Sequence, residues 1–336
     1  MTSIRPRPAT ISDIARRAGV STATVSYVLN DAPAGARIPE ETRARVRAAA
    51  DDLGYVPHAS ARSLRTGARD LVLYVHFDVA HGPLASEFLY ALARALRDLG
   101  YTLMQYGAEK NRGVKAARAW AALRPAAVLA GDDRLTAAGV ELLTKAGIRV
   151  IGLGSDPARA KGTGLSTLVM DHHAVGLAAG RHLTGRGYRD LAVVLPTDPP
   201  LRTMGEGRLA GVREAAAEAG AAVRVHDMDY SPASAAGIVA AWRAEGLPRG
   251  VFGYNDEFSG LLLGALLDAG VRVPEEVGLV GADDLMLCEM LRPALTSVRL
   301  RSESPEEIAR RITEAITEGA EVHLSPWTAH PVPRRT

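Results

Sequence analysis

Cysteine is nearly absent: one residue, Cys288, stands in 336. A single thiol cannot build an internal disulfide framework, and the chain reads as one made for a reducing compartment. Long apolar runs are also missing. None approaches the ~18 residues of a membrane-spanning helix, so no membrane is expected as a partner. The opening stretch, MTSIRPRPATISD, has no apolar core of the signal-peptide kind, which leads to the expectation of a cytoplasmic protein. Aromatic residues make up only 5% of the chain, so few stacking platforms are available to a ligand. Lysine is absent from residues 1–69, which carry eleven arginines against six acids, a net +5. The rest carries 29 basic and 32 acidic residues, a net −3. A small basic head on a weakly acidic body points to a polyanion at one end, although a solvated charged face has the same composition.

What is present is ordinary for a folded chain: 47% apolar and 23% charged residues. Its length suits two or three units. In ATISDIARRAGVSTATVSYVLND, Thr10 suits a helix N-cap, with Asp13 three residues later. Ile11, Ile14, Ala15 and Ala18 then share a face at helical spacing. Gly19 permits a sharp turn and Val20 points inward. Ser21 caps a second helix whose stripe is Val25, Val28 and Leu29. This is a helix-turn-helix pattern, whose second helix can expose its early side chains to base edges in a major groove. A third helix is expected over about 39–53, with Val46, Ala49, Ala50 and Leu53 facing inward and Gly54 ending it.

From Leu71 the pattern changes. LVLYVHF, TLMQYG, AAVLAG and RVIGLG read as buried strands. Helices are expected between them near 87–99, 115–123 and 136–146. A second cycle begins near His172, with strands LAVVLP, AVRVHDM, GVFGYN and VGLVGAD. This alternation predicts two open α/β halves with parallel sheets, which bind ligands beyond the carboxyl ends of their strands. Crossings between the halves are expected near Asp171 and Val298.

The run from Thr10 to Asn30, followed by EETRARVRAAADDLGYVPHASARSLRTG, resembles the lactose-repressor (LacI/GalR) family of transcription regulators. It keeps the spacing of T-I-x-D-I-A, A-G-V-S, T-V-S, V-L-N, E-T-R, L-G-Y, P and R-S-L over about sixty residues. The resemblance implies an all-α helix-turn-helix head (1–57), a hinge helix or linker (58–69), and an α/β periplasmic-binding-protein-like domain (70–336). The first half of that domain would be about 70–170 plus 300–325, and the second about 171–298 plus 326–336. It further implies a homodimer on a near-palindromic double-stranded operator, controlled by a small molecule such as a sugar or sugar phosphate. No cofactor is implied.

Position by position, the resemblance places Thr22, Ala23 and Tyr27 at the main base-reading sites. Ser21, Thr24 and Ser26 serve capping or phosphate contacts, and Thr10, Asn30, His58 and Arg62 join the DNA-facing set. Tyr27 stands where the family commonly has arginine, so one hydroxyl and an apolar ring replace a bidentate guanine reader. The loop DAPAGARI is longer than in the lactose repressor, leaving Arg37 either a phosphate contact or a free surface residue. Leu64 matches a leucine wedged between base steps, with Ala61 one turn earlier; the same leucine could instead pack the hinge pair. In the body, Arg208 lines up with an effector-binding arginine, or serves a helix-start ion pair. Asn255 and Asp283 follow strands at positions that often bind effector. Tyr230 stands where some relatives stack an aromatic ring, and Asp171 is hinge or ligand contact. Asp256 and Asp284 are expected to cap helices or brace loops. In GPLASEFLYAL, Leu84 and Ala85 replace two common aromatics, which leaves the ligand open, as is the direction of its effect on DNA binding.

Catalytic signatures are missing. There is no G-x-S-x-G elbow and no P-loop, and GEGRLAG places its third glycine one position late for a dinucleotide fingerprint. His172–His173 beside Asp171 is too small a cluster for a metal site, and Asp132–Asp133 reads as a solvated turn. A sugar-binding protein without DNA function explains only the body, and an α/β enzyme lacks its reactive groups. The tail, SPWTAHPVPRRT, holds no leucine heptad for a tetramerising coil.

Overall fold

The computed structural model describes residues 9–29, 37–55, 69–76, 82–107, 111–154, 165–325 and 327–336. The chain forms two compact units, Met1–Arg69 and Asp70–Thr336.

In the first unit, α1 (Ile11–Ala18) opens with a reciprocal capping box. The Thr10 hydroxyl oxygen accepts from the Asp13 amide, and the Asp13 carboxylate accepts from the Thr10 amide. Gly19 closes the helix in the left-handed region at φ 67°, where a side chain would be strained. The Ser21 hydroxyl accepts from the Thr24 amide at 3.1 Å at the start of α2 (Thr22–Leu29). Helix α3 (Glu40–Asp52) follows, with Glu40 and Glu41 in its first turn. Ile14, Val25, Val28, Val46, Ala49 and Ala50 form the shared core. Leu53 departs from expectation: the helix ends at Asp52, so Leu53 becomes its C-cap and stays 37% exposed.

Among its described residues the second unit holds two six-stranded sheets. The first contains β1 (Leu71–Val75), β2 (Thr102–Tyr106), β3 (Ala127–Gly131), β4 (Arg149–Gly154), β5 (Ser166–Val169) and, far along the chain, β11 (His323–Leu324). Their spatial order is β11-β5-β4-β3-β1-β2, with every pairing parallel. Helices α4 (Pro83–Asp98), α5 (Gly113–Ala122), α6 (Ala137–Lys145) and α12 (Pro305–Thr317) belong to this half. Helix α4 starts one turn before the expected Glu87, because Pro83 supplies the fixed φ of a first helical residue.

The second sheet runs β12-β10-β9-β8-β6-β7. Its strands are β6 (Asp190–Pro196), β7 (Ala222–Met228), β8 (Gly250–Gly253), β9 (Gly278–Ala282), β10 (Thr296–Ser302) and β12 (Trp327–Val332). Only β12 is antiparallel to its neighbour. Its helices are α7 (His172–Gly185), α8 (Pro199–Ala219), α9 (Pro232–Glu245), α10 (Asp256–Asp268) and the single turn α11 (Leu287–Met290). The chain first passes between the halves at 170–171. It returns after Ser302 rather than near Val298, since β10 pairs with β12 as far as that residue, and passes a third time between β11 and β12.

Parallel strands buried on both faces read as continuous apolar runs, as in β3 and β9, where every residue is buried. Phe88 on α4 meets Trp327 of β12 edge-on at 5.3 Å, and Leu84 packs against the core of the second half. The position expected to lack a stacking ring thus serves packing between the halves.

Candidate functional sites

In the head, α2 buries Val25 and Val28, so its other face must meet solvent. Ser21, Thr22, Ala23 and Tyr27 lie on that exposed face, with the Tyr27 ring 43% exposed. Thr24 and Ser26 are half-buried, and the Thr24 hydroxyl lies 2.9 Å from that of Ser21. Thr10 is occupied locally, its hydroxyl donating to Asp13 at 2.6 Å. Arg37 is exposed. Asn30, His58, Ala61, Arg62 and Leu64 lie outside the described residues.

In the body, the strand ends of the second sheet converge on one arginine. Arg208 sits mid-way along α8, ten residues into the helix, so a helix-start ion pair does not account for it. It is 3% exposed. Its Nε–H donates to Nδ1 of His172 at 3.3 Å, Nη1 donates to the Tyr254 carbonyl, and Nη2 donates to Oδ1 of Asp283 at 3.2 Å. The guanidinium also lies 4.7 Å from the Tyr254 ring centroid. A planar group with five N–H donors is thereby fixed by α7, the end of β8 and the turn after β9. Two Nη hydrogens remain beyond these three bonds.

Two helices must come unusually close for this. A Cβ on Gly176 of α7 would lie 1.7 Å from the Arg208 carbonyl oxygen. One on Gly211 of α8 would lie 2.1 Å from the His173 carbonyl oxygen. Glycine at both positions lets the backbones touch and brings His172 against Arg208. Burial first, and the Arg208 charge second, lower the His172 imidazole to about 3. His172 is therefore neutral at ordinary pH, with Nδ1 as the acceptor and the proton on Nε2.

Of the other expected body residues, Asp283 meets Arg208 directly, with its side chain 14% exposed. Asn255 caps α10, its Oδ1 accepting from the Phe258 amide at 3.0 Å, one residue past the Tyr254 carbonyl that Arg208 holds. Asp171 caps α7 through the Ala174 amide at 2.9 Å, one residue before His172. Tyr230 stands further out, 63% exposed, its ring 5.3 Å from Phe258. Desolvation raises its hydroxyl pKa, helped by Glu257. The sequence had offered His172 only as a weak metal ligand and had not marked Tyr254. Asp132, expected in a solvated turn, is exposed, and its carboxylate lies against Gly152 and Gly154, where any Cβ would meet it. Among the described residues no group of three or more His, Cys, Asp or Glu could hold a metal ion, and no helix is long and apolar enough to cross a membrane.

Residues 10–58 match the family model described as bacterial regulatory proteins, lacI family, and residues 180–336 match a periplasmic binding protein-like domain. The HTH-type transcriptional repressor PurR of Proteus mirabilis (strain HI4320) is 30% identical over 312 residues, covering 90% of this chain and 88% of that protein. The chain belongs to the LacI/GalR family of transcription regulators. As a member, it joins a helix-turn-helix head to a ligand-responsive α/β body. Among solved structures, a lac repressor dimer bound to operator and the anti-inducer ONPF superposes with TM-score 0.80 at 22% identity, over 98% of this chain and 99% of that one. A complex of the regulator CelR with cellobiose superposes with TM-score 0.63 at 25% identity, over 97% and 99%.

Proposed function

We propose that this LacI/GalR member is a cytoplasmic, homodimeric transcriptional repressor and not an enzyme. Its working parts are a DNA-reading head (1–57), a hinge (58–69) and an effector-binding, dimerising body (70–336). The dimer sets two α2 helices in adjacent major grooves of a near-palindromic operator, while the hinge segments, with Leu64 as wedge, bend its centre. Thr22, Ala23 and Tyr27 face base edges. Ser21, Thr24, Ser26, Asn30 and Arg37 face the backbone, with His58, Ala61 and Arg62 in the hinge contacts. The effector lies beyond the carboxyl ends of the strands in the second unit and changes the relation of the two halves.

The observation that carries the effector site is the Arg208 guanidinium, buried yet held beside the Asp283 carboxylate. A donor fork next to an acceptor suits a ligand rich in hydroxyl or carbonyl groups, such as a sugar. Asn255, Asp171 and Tyr230 flank it. The relatives named as repressors support the direction of control on DNA.

The test is a gel shift of full-length protein on its selected operator against a panel of sugars and sugar phosphates. Arg208→Ala is expected to keep operator affinity and lose the ligand effect. A typical 5–150-fold response would fall to about onefold, the whole of the coupling. A response that survives the substitution overturns the pocket assignment.

Tyr27 sets operator preference in the same assay. The wild type is expected to select a half-site without the guanine that an arginine would read. Tyr27→Arg should restore that guanine with about 1–3 kcal/mol of discrimination. If selection from a random pool returns the same base for both proteins, Tyr27 does not read that pair.

A further inference from the structure

Asp283 reaches Arg208 from an improbable backbone. It and Asp284 are consecutive non-glycine residues with positive φ, 97° and 53°. Such conformations are costly for residues with a side chain and persist only where surrounding groups over-determine them. Three successive amides supply that constraint. The Asp283 N–H donates to the Val298 carbonyl at 2.9 Å, the Asp284 N–H to the Ser297 hydroxyl at 3.0 Å, and the Leu285 N–H to Oδ2 of Asp256 at 2.8 Å.

The last two acceptors are one unit. The Ser297 hydroxyl donates to Oδ1 of Asp256 at 2.6 Å, and both residues are fully buried. Gly281 leaves the room, since a Cβ there would lie 2.3 Å from Oδ1 of Asp256. The Asp284 carboxylate secures the same turn from another side, pairing with Arg299 at 2.5 Å and Arg334 at 2.7 Å. A buried carboxylate bears a desolvation penalty that an apolar residue would avoid. Burial indeed pushes Asp256 up to about 7, while Ser297 and the Leu285 amide pull it back. Its geometry shows what that penalty maintains.

We propose that Asp256 and Ser297 are positioning residues of the effector site: they hold the Asp283–Leu285 turn in its left-handed form and so deliver the Asp283 carboxylate to Arg208. Neither needs to touch the ligand. The proposal rests on the reading of Arg208 and Asp283 as effector contacts, and its test contains no ligand, so the two fail separately.

The experiment uses full-length protein labelled for NMR, with hydrogen–deuterium exchange of residues 283–287 alongside. The reporter is the Arg208 Nε–H resonance, assigned by its loss in Arg208→Lys. Asp256→Asn keeps the size of the side chain and one oxygen acceptor, and Ser297→Ala removes only the bridging hydroxyl. Each is expected to move or broaden the Arg208 Nε–H signal, although the hydrogen bonds of that guanidinium go to other residues. Each should also speed exchange in 283–287 by about tenfold or more while β6 and β8 keep their protection. Ser297→Thr, which restores the hydroxyl, should bring the signal back towards its wild-type position. If Asp256→Asn does not fold, the Ser297 pair decides. An unmoved Arg208 signal with unchanged exchange in 283–287 overturns the positioning role. A ligand response that survives Arg208→Ala would instead overturn the pocket, leaving the hydrogen-bonded turn as found.

Discussion

Gly211→Ala, like Gly176→Ala across the same helix contact, is expected to unsettle the second half of the body strongly. The new Cβ would stand 2.1 Å from the His173 carbonyl oxygen and 2.4 Å from the Leu177 amide nitrogen. Both are backbone atoms, so no side chain can swing away. The axes of α7 and α8 must separate, which loosens the buried core to which both contribute, Ala179 from α7 and Val212 from α8. Overpacking typically costs about 1–3 kcal/mol and sometimes more. This site belongs at the upper end, because the obstacle is main chain. At roughly 2–4 °C per kcal/mol for a unit of this size, the melting temperature should fall by about 6–12 °C. The Arg208–His172 bond should fail with it, since each helix carries one partner. Thermal unfolding of the variant checks the prediction; a fall of a degree or less would mean the helices do not approach so closely. Gly237, with open space around its Cβ position, is the control, and Gly237→Ala should be tolerated.

The second large effect concerns acid. His172 is 3% exposed and its imidazole is lowered to about 3, against 6.5 for the free side chain. Above pH 6.5 it is neutral in folded and unfolded chains alike and adds no pH dependence. Below 6.5 the unfolded chain takes up a proton that the folded chain refuses, so stability is lost as pH falls towards 3. At 1.36 kcal/mol per pH unit the loss is about 2 kcal/mol by pH 5. A protonated ring there would also lose its Nδ1 acceptor and face a guanidinium. His172→Asn keeps an acceptor near the Nδ1 position without the titration. It is expected to be less stable than the wild type at pH 8 and to close that gap by about 2 kcal/mol at pH 5. Urea unfolding of both proteins across this range is the measurement. A gap independent of pH would show that His172 is not the buried neutral group described.

The head was readable from sequence because its signals are local. Thr10 with Asp13, Gly19 after the last helical alanine, and Ser21 before the second stripe each act within four residues of chain. The order of strands and helices in the body was readable for the same reason, through runs such as AVLAG and GLVGA. Strands of four and two residues, β5 and β11, carry too little pattern, and β12, whose WTAHPV alternates without an apolar run, was passed over.

The site was half legible. Arg208 and Asp283 stand out through family resemblance, yet their contact joins residues 75 apart, and the His172 contact joins residues 36 apart. No spacing rule encodes these. Gly176 and Gly211 were visible as glycines, but only the packed helices reveal what each makes room for. Asn255 shows a different ambiguity. A polar residue just after a strand can cap the next helix or meet a ligand, and its Oδ1 here does the former. The masking of Leu53 by periodicity is similar: the stripe continues while the helix stops.

The central claim is tested most directly by sequencing the duplexes that the purified full-length protein retains from a random pool. Enrichment of one near-palindromic site with two spaced half-sites, bound by a dimer, is the predicted result. A monomer that retains no sequence over background, with or without added ligands, would contradict it.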